Sequence, residues 1–287
     1  MLILKSQFDD YQLLDSGDGK RLERFGKFVL SRPDPQAIWK SRLSQKDWDL
    51  ADAIFDRTSA DKGIWRNNDK VPSQWIIRYK SLSLIAKLTP FKHTGIFPEQ
   101  AAQWDFIMDK ITEANRPINV LNLFGYTGAS TLAAASVGAK VTHVDGSKPS
   151  VAWARENQKV SGLEDKPIRW IIDDAVKFVE REIRRGNKYD AIIMDPPIYG
   201  HGPSGEKWDF NLHFPALMEN CKKLLSENPL FIIINAYAIS SSALMLENVL
   251  SDYVKDLNGQ IEVGELVLKE VTSERLLSTG IFARWFK

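Results

Sequence analysis

Four short segments of this chain carry residue types able to build a site, and each closes an apolar run. NLFGYTGAS holds Gly125 and Gly128, which let the chain turn sharply and bring main-chain N–H groups close to a ligand. Twenty residues after Gly125, Asp145 ends AKVTHVD with Gly146 and Ser147 beside it. A carboxylate there can accept both hydroxyls of a ribose, or cap the helix that begins near Lys148. In IIDDAVKF, one of Asp173 and Asp174 can accept from an adenine amino group while the other caps the next helix, and register favours Asp174 for the ligand. The fourth segment, MDPPIYGHGPSGEKW, sets Asp195 before Pro196 and Pro197 and continues into a Gly/Pro-rich loop. Successive prolines fix φ and donate no N–H, so the main chain is rigid and its carbonyls are available to a substrate. Tyr199, His201 and Trp208 follow in the same loop as candidates for moving protons or gripping a planar group.

The elements that must position these groups are legible as short apolar runs alternating with amphipathic stretches from Ile118 onward, the pattern of a parallel sheet covered by helices on both faces. INVLNLF, AKVTHVD, IRWIID, YDAIIMD and LFIIIN read as strands. Stretches 129–137, 148–161, 175–185 and 214–225 read as helices, with a further helix over 241–254 and a closing antiparallel pair from GELVLKEV and GIFARWFK. In such sheets ligands bind outside the carboxyl ends of the strands, where all four segments fall. Residues 1–88 lack this rhythm and predict a small β-rich domain with a helix near Asp47–Asp56, leaving 89–287 as the α/β domain. Trp39, Trp48, Trp65 and Trp75 of the first domain are read as core rather than as stacking platforms.

Composition narrows the function classes. The 287 residues are 44% hydrophobic and 26% charged, ordinary for a globular protein, and no run approaches a membrane span. The first residues lack the shape of a secretory signal, so the expected location is cytoplasmic. One cysteine, Cys221, excludes an intrachain disulfide, and the four histidines show no ligand spacing, so no metal is expected. The net charge of +1 divides unevenly. Residues 1–88 hold 16 Lys/Arg against 12 Asp/Glu, a balance of +4 that leans toward a polyanion.

LNLFGYTGAS, VTHVDGSKPSVAWARENQ, DDAVKF and YDAIIMDPP, in that order, resemble the S-adenosylmethionine-dependent methyltransferases that modify bases of large-subunit ribosomal RNA. HTGIFPEQ is similar to the family segment that precedes the nucleotide fold and packs over the methyl donor, and GIFARWF to its last strand. The resemblance implies a class I, Rossmann-like fold with a mostly parallel seven-stranded sheet, and S-adenosylmethionine as methyl donor. Phe124, Gly125, Tyr126, Thr127 and Gly128 would line the donor's methionine part, with Phe97 and Gln100 over it. Asp145, with Gly146 and Ser147, would hold the ribose, and Asp174, with Asp173 beside it, the adenine. Asp195, Pro196, Pro197 and Tyr199 would stand at the transfer centre, and residues 1–88 in the place of an RNA-binding domain. Three positions depart from the pattern. Gly125 replaces a serine, Ala129 a glycine, and Ala101 an arginine.

The implied partner is RNA, with ribosomal RNA first. Methylation on nitrogen is expected rather than on carbon, because activating a pyrimidine carbon commonly needs a thiolate and no cysteine lies in the DPP loop. The competing readings are a methyltransferase acting on a small molecule or protein, a nicotinamide oxidoreductase lacking the full G-x-G-x-x-G, and a non-catalytic RNA-binding protein.

Overall fold

The computed structural model describes residues 1–58, 62–67, 69–237 and 242–287. Two compact units divide the chain: residues 5–102 with 267–278, and residues 1–4, 103–266 and 279–287. The reading from sequence draws its boundary between 88 and 89. The structure carries the first unit on to Ala102 and returns a short later segment to it.

After an edge strand of the larger unit, β1 (Leu2–Lys5), the smaller unit is built from β2 (Tyr11–Gly17), β3 (Lys20–Phe25) and β4 (Phe28–Pro33). It continues through α1 (Gln45–Asp49), β5 (Ala53–Arg57), β6 (Gly63–Asn67), β7 (Gln74–Tyr79) and β8 (Leu82–Lys87). Strands β2 to β6 form one sheet in chain order, and β7 and β8 an antiparallel pair. The helix expected at Asp47–Asp56 stops at Asp49. Its second half is β5, whose alternate residues Ala53 and Phe55 are buried, a period of two that the helical reading overlooked. Of the four tryptophans, Trp48 is buried and Trp39, Trp65 and Trp75 are half-buried. In the core of this sheet the carboxylate of Glu23 accepts from Tyr11 Oη at 2.7 Å and from Arg32, so the buried charges are paired.

A 3-10 turn at Pro98–Gln100 leads into α2 (Ala101–Ala114). The larger unit then runs β9 (Asn119–Leu123), α3 (Ala129–Ser136), β10 (Lys140–Asp145), α4 (Lys148–Val160), β11 (Ile168–Ile172) and α5 (Ala175–Arg184). After β12 (Ala191–Met194) come a short hairpin, β13 (Tyr199–His201) and β14 (Lys207–Asp209), and α6 (Phe210–Leu224). Last are β15 (Phe231–Ala236), α7 (Ala243–Val254), β16 (Gln260–Lys269) and β17 (Leu276–Phe286). The helix expected from Ser241 starts at Ala243 within the described residues, and Ser241 itself lies outside them. The one expected at 214–225 starts four residues earlier, because Asp209 Oδ1 accepts from Leu212 N at 3.2 Å and caps it.

The main sheet has eight strands in the order β1-β16-β17-β15-β12-β9-β10-β11, one more than expected because β1 adds an edge. Five central strands are parallel and β17 runs antiparallel to β15. Alternate residues serve opposite faces. Leu121, Leu123, Ile192, Met194, Ile232 and Ile234 pack against Phe178, Phe214 and Leu246 of α5, α6 and α7. Val120, Val141, Ile193 and Ile233 pack against Ile107 and Ile111 of α2 and Ala134 of α3. Both faces are thus buried, which is why the strands read as continuous apolar runs. No helix among the described residues is long and apolar enough to cross a membrane.

Candidate active site

Strand order reverses between β9 and β12, and the crevice at that switch is where an open α/β sheet presents a ligand site. A cleft of about 150 Å³ lies at the carboxyl ends of the strands. Phe124, Asp145, Gly146, Ser147, Asp173, Asp174 and Pro197 line it, together with Gly200, His201, Gly202 and Trp208. Gly125, Tyr126, Thr127, Gly128, Asp195, Pro196 and Tyr199 stand outside this lining. Phe97 and Gln100 belong to the smaller unit.

The turn after β9 is tighter than its two glycines suggest. Phe124 and Tyr126 themselves take left-handed φ values of 55° and 48° around Gly125, and Gly128 takes 86°. Three of the turn's amides are bonded within the fold rather than held out to a ligand. Gly125 N donates to Val144 O at 3.0 Å, Tyr126 N to Asp145 Oδ2 at 2.8 Å and Gly128 N to Gly125 O at 2.9 Å. These bonds within the fold hold the strained path in place.

Asp145 is not a helix cap. Ser147 caps α4, its Oγ accepting from Ser150 N at 3.3 Å, while Asp145 Oδ1 accepts from Ser147 N at 2.8 Å. One N–H on each oxygen leaves each with a further acceptor position, which two vicinal hydroxyls can fill. Burial raises the Asp145 carboxyl above its ordinary pKa, and the Ser147 and Tyr126 amides oppose the rise.

At the next strand end the roles divide differently from the expectation of one acid for the ligand and one for the cap. Asp174, favoured for the ligand, also caps α5, its Oδ1 accepting from Lys177 N at 2.9 Å. Asp173 pairs with Arg181 and accepts from Asp174 N. Both line the cleft, and Asp174 keeps its second oxygen as an acceptor.

The loop after Asp195 folds as the β13–β14 hairpin, with Gly200 opposite Trp208. Trp208 is buried, its ring 5.0 Å from Phe124 and stacked 5.8 Å from His213, so it is a wall rather than a free platform. Its Nε1 donates to Pro197 O at 2.6 Å, which removes that carbonyl from those available to a substrate. Tyr199 is 71% exposed. A Cβ built at Gly146 would meet Gly202 Cα, His201 O and Pro203 Cδ at 3.5 Å each, so the hairpin turn lies against the end of β10. Lys177 Nζ on α5 holds Glu206 at the far side of that turn. The sequence reading missed this ribbon, although YGHG and KWD flank the Pro-Ser-Gly turn that closes it.

These residues fit an adenosyl group, since acidic acceptors at the ends of β10 and β11 face one cleft walled by Phe124 and Trp208. Comparison with known proteins agrees. A solved S-adenosylmethionine-dependent methyltransferase from Agrobacterium tumefaciens is 39% identical, covers all of this chain and 93% of its own, and superposes with a TM-score of 0.96. The chain belongs to the S-adenosylmethionine-dependent methyltransferases, and S-adenosylmethionine is its methyl donor. Within that class, residues 98–207 match the family model described as conserved hypothetical protein 95. A ribosomal RNA large subunit methyltransferase K/L of Shewanella frigidimarina is 33% identical over 80% of this chain, which spans 35% of that protein. A ribosomal RNA large subunit methyltransferase K of Neisseria meningitidis is 22% identical over 85% of the chain and 70% of its own length. The chain spans about a third or less of the length of the K/L relatives it matches.

Proposed function

We propose that this methyltransferase acts on a base of ribosomal RNA and places the methyl on nitrogen rather than carbon. The observation that carries the nitrogen assignment is Cys221. The chain's one cysteine is 2% exposed inside α6, and burial pushes its thiol up to about 12. A thiolate for attack on a pyrimidine ring is therefore missing where carbon chemistry would need one. An amino or ring nitrogen needs no covalent activation, only its lone pair aimed at the methyl.

The donor supplies an electrophilic methyl on a sulfonium, and everything else falls to the protein. Asp145 holds the ribose hydroxyls, with Gly146 and Ser147 beside it, and Asp174 accepts from the adenine amino group with Asp173 next to it. Phe124 to Gly128 line the methionine part. Asp195, half-buried at the end of β12, accepts a hydrogen from the acceptor nitrogen and turns its lone pair inward. Pro196 and Pro197 hold the main chain at this point rigid, and exposed Tyr199 offers a face on which an unstacked base can rest. The +4 balance of residues 1–88 and the names of the relatives support RNA as the partner.

The test is transfer of labelled methyl from S-adenosylmethionine to large-subunit ribosomal RNA, followed by nucleoside mass spectrometry. Label on a base nitrogen is the expected outcome. Label on carbon overturns the nitrogen assignment, and label only on bulk protein or small molecules overturns the RNA assignment.

A further inference from the structure

Directly beneath the donor turn lies a buried polar rung. In the parallel register Asn122 of β9 stands beside His143 of β10, and His143 beside Trp170 of β11, so the three side chains share one face of the sheet. Asn122 Nδ2 donates to Thr131 Oγ1 at 2.9 Å, and Thr131 Oγ1 and His143 Nδ1 are 2.9 Å apart. The imidazole lies 4.7 Å from the Trp170 ring and is wholly buried. This rung supports both glycines of the turn. A Cβ at Gly125 would lie 2.4 Å from His143 Cε1 and 2.5 Å from Nδ1, and one at Gly128 would lie 2.9 Å from Ala154 Cβ and 3.5 Å from Trp170 Cη2.

We infer that His143 is a positioning residue for the methyl donor: its ring, wedged under Gly125 and tied through Thr131 to Asn122, fixes the turn that carries Phe124 and Tyr126. Three observations converge on this. The ring fills the space that any side chain at position 125 would need, so glycine is required there by contact, its own φ lying outside the left-handed region. The residues on either side of Gly125 hold left-handed φ values, which persist only where surroundings enforce them. His143 also lies two residues before Asp145 on β10, and strand alternation sends both side chains to the same face. One strand thus places the ribose acceptor and the support for the turn.

The decisive measurement is a double-mutant cycle on S-adenosylhomocysteine affinity, by calorimetry on the full chain. Gly125→Ser alone must push the turn off the ring, and it is expected to weaken binding by about tenfold or more. His143→Ala removes the obstruction. In the double variant the serine should add a further loss of less than about threefold, so that the two effects are strongly non-additive. Effects that simply multiply overturn the inference, as does Gly125→Ala binding the donor like the parent. The latter variant adds a single methyl to a half-buried turn and leaves the imidazole in place, so the test stands even if loss of the imidazole prevents folding. A purely structural histidine would lower the melting temperature of the His143→Ala protein without coupling to position 125. In turnover assays the KM for the donor should rise for Gly125→Ser, with the KM for the acceptor unchanged.

Discussion

Asp145 combines half-burial with two main-chain donors, so its carboxylate is both costly to charge and fixed in direction. Its removal is expected to weaken S-adenosylhomocysteine binding by about ten- to a hundredfold, the loss of one or two charge-assisted hydrogen bonds. Calorimetry on Asp145→Ala checks this, and unchanged affinity in a folded variant would falsify the ribose role. Asp195 should behave in the opposite way. Asp195→Ala is expected to lower kcat by about a hundredfold while leaving donor affinity near that of the parent, because its proposed partner is the acceptor. His143 adds a pH dependence. Burial lowers it to about 3, so the folded protein keeps it neutral where the unfolded chain takes up a proton near 6.5. Its contribution is complete above that value and is lost as pH falls toward 3, by up to about 1.4 kcal/mol per unit. Denaturant unfolding between pH 7.5 and 5 should therefore show the stability difference between parent and His143→Asn narrowing as pH falls below about 6.5. A constant difference rules this out.

Elements deliver these groups through their ends. Asp174 both caps α5 and lines the cleft, so the proposed adenine contact would share one side chain with the cap. The two roles separate by substitution. Asp174→Ala should cost about 1 kcal/mol of stability and also weaken donor binding, whereas Asp174→Ser keeps a cap but is too short for the adenine. Thermal melting should place the serine variant within a few tenths of a kcal/mol of the parent, with donor affinity reduced in both. Equal affinity for all three proteins moves the adenine contact to Asp173. The starts of α4 and α5 were legible from hydrophobic period and from Pro149 in the first turn of α4, but the capping side chains are Ser147 and Asp174, where the sequence offered Asp145 and Asp173. α2 was overlooked despite Trp104, Ile107, Met108 and Ile111 at helical spacing, all buried. The β13–β14 ribbon escaped because its residues read as loop chemistry, and only the cross-strand pairing and the Lys177–Glu206 contact with α5 give it form.

For the whole molecule, the charge balance makes a prediction about partners. If Lys and Arg of residues 1–88 contact RNA phosphates, affinity for a single-stranded ribosomal fragment should fall with salt, at a log–log slope of about −0.7 for each phosphate neutralised. Replacing the exposed Lys20, Lys27 and Lys46 together with Gln should then flatten the slope by about 2, with donor binding intact. Fluorescence anisotropy across a salt series reads both quantities. An unchanged slope excludes these lysines from the RNA-binding surface.

The sequence by itself determined the order of parallel strands and crossing helices, the four segments at their carboxyl ends, and the methyltransferase class. The succession of elements and the four segments rest on hydrophobic period and on a few side chains whose chemistry is local, and the class rests on the ordered resemblance of those segments to a known family. Tertiary structure alone decided which groups remain available to a ligand. Three amides of the glycine turn are spent on Val144, Asp145 and Gly125, and the Pro197 carbonyl is taken by Trp208. The position-125 glycine answers to a histidine 18 residues away in the chain. Availability depends on partners brought close by sheet register and by the return of a hairpin. Such long-range pairing is set by packing of the whole domain, and no window of neighbouring residues encodes it.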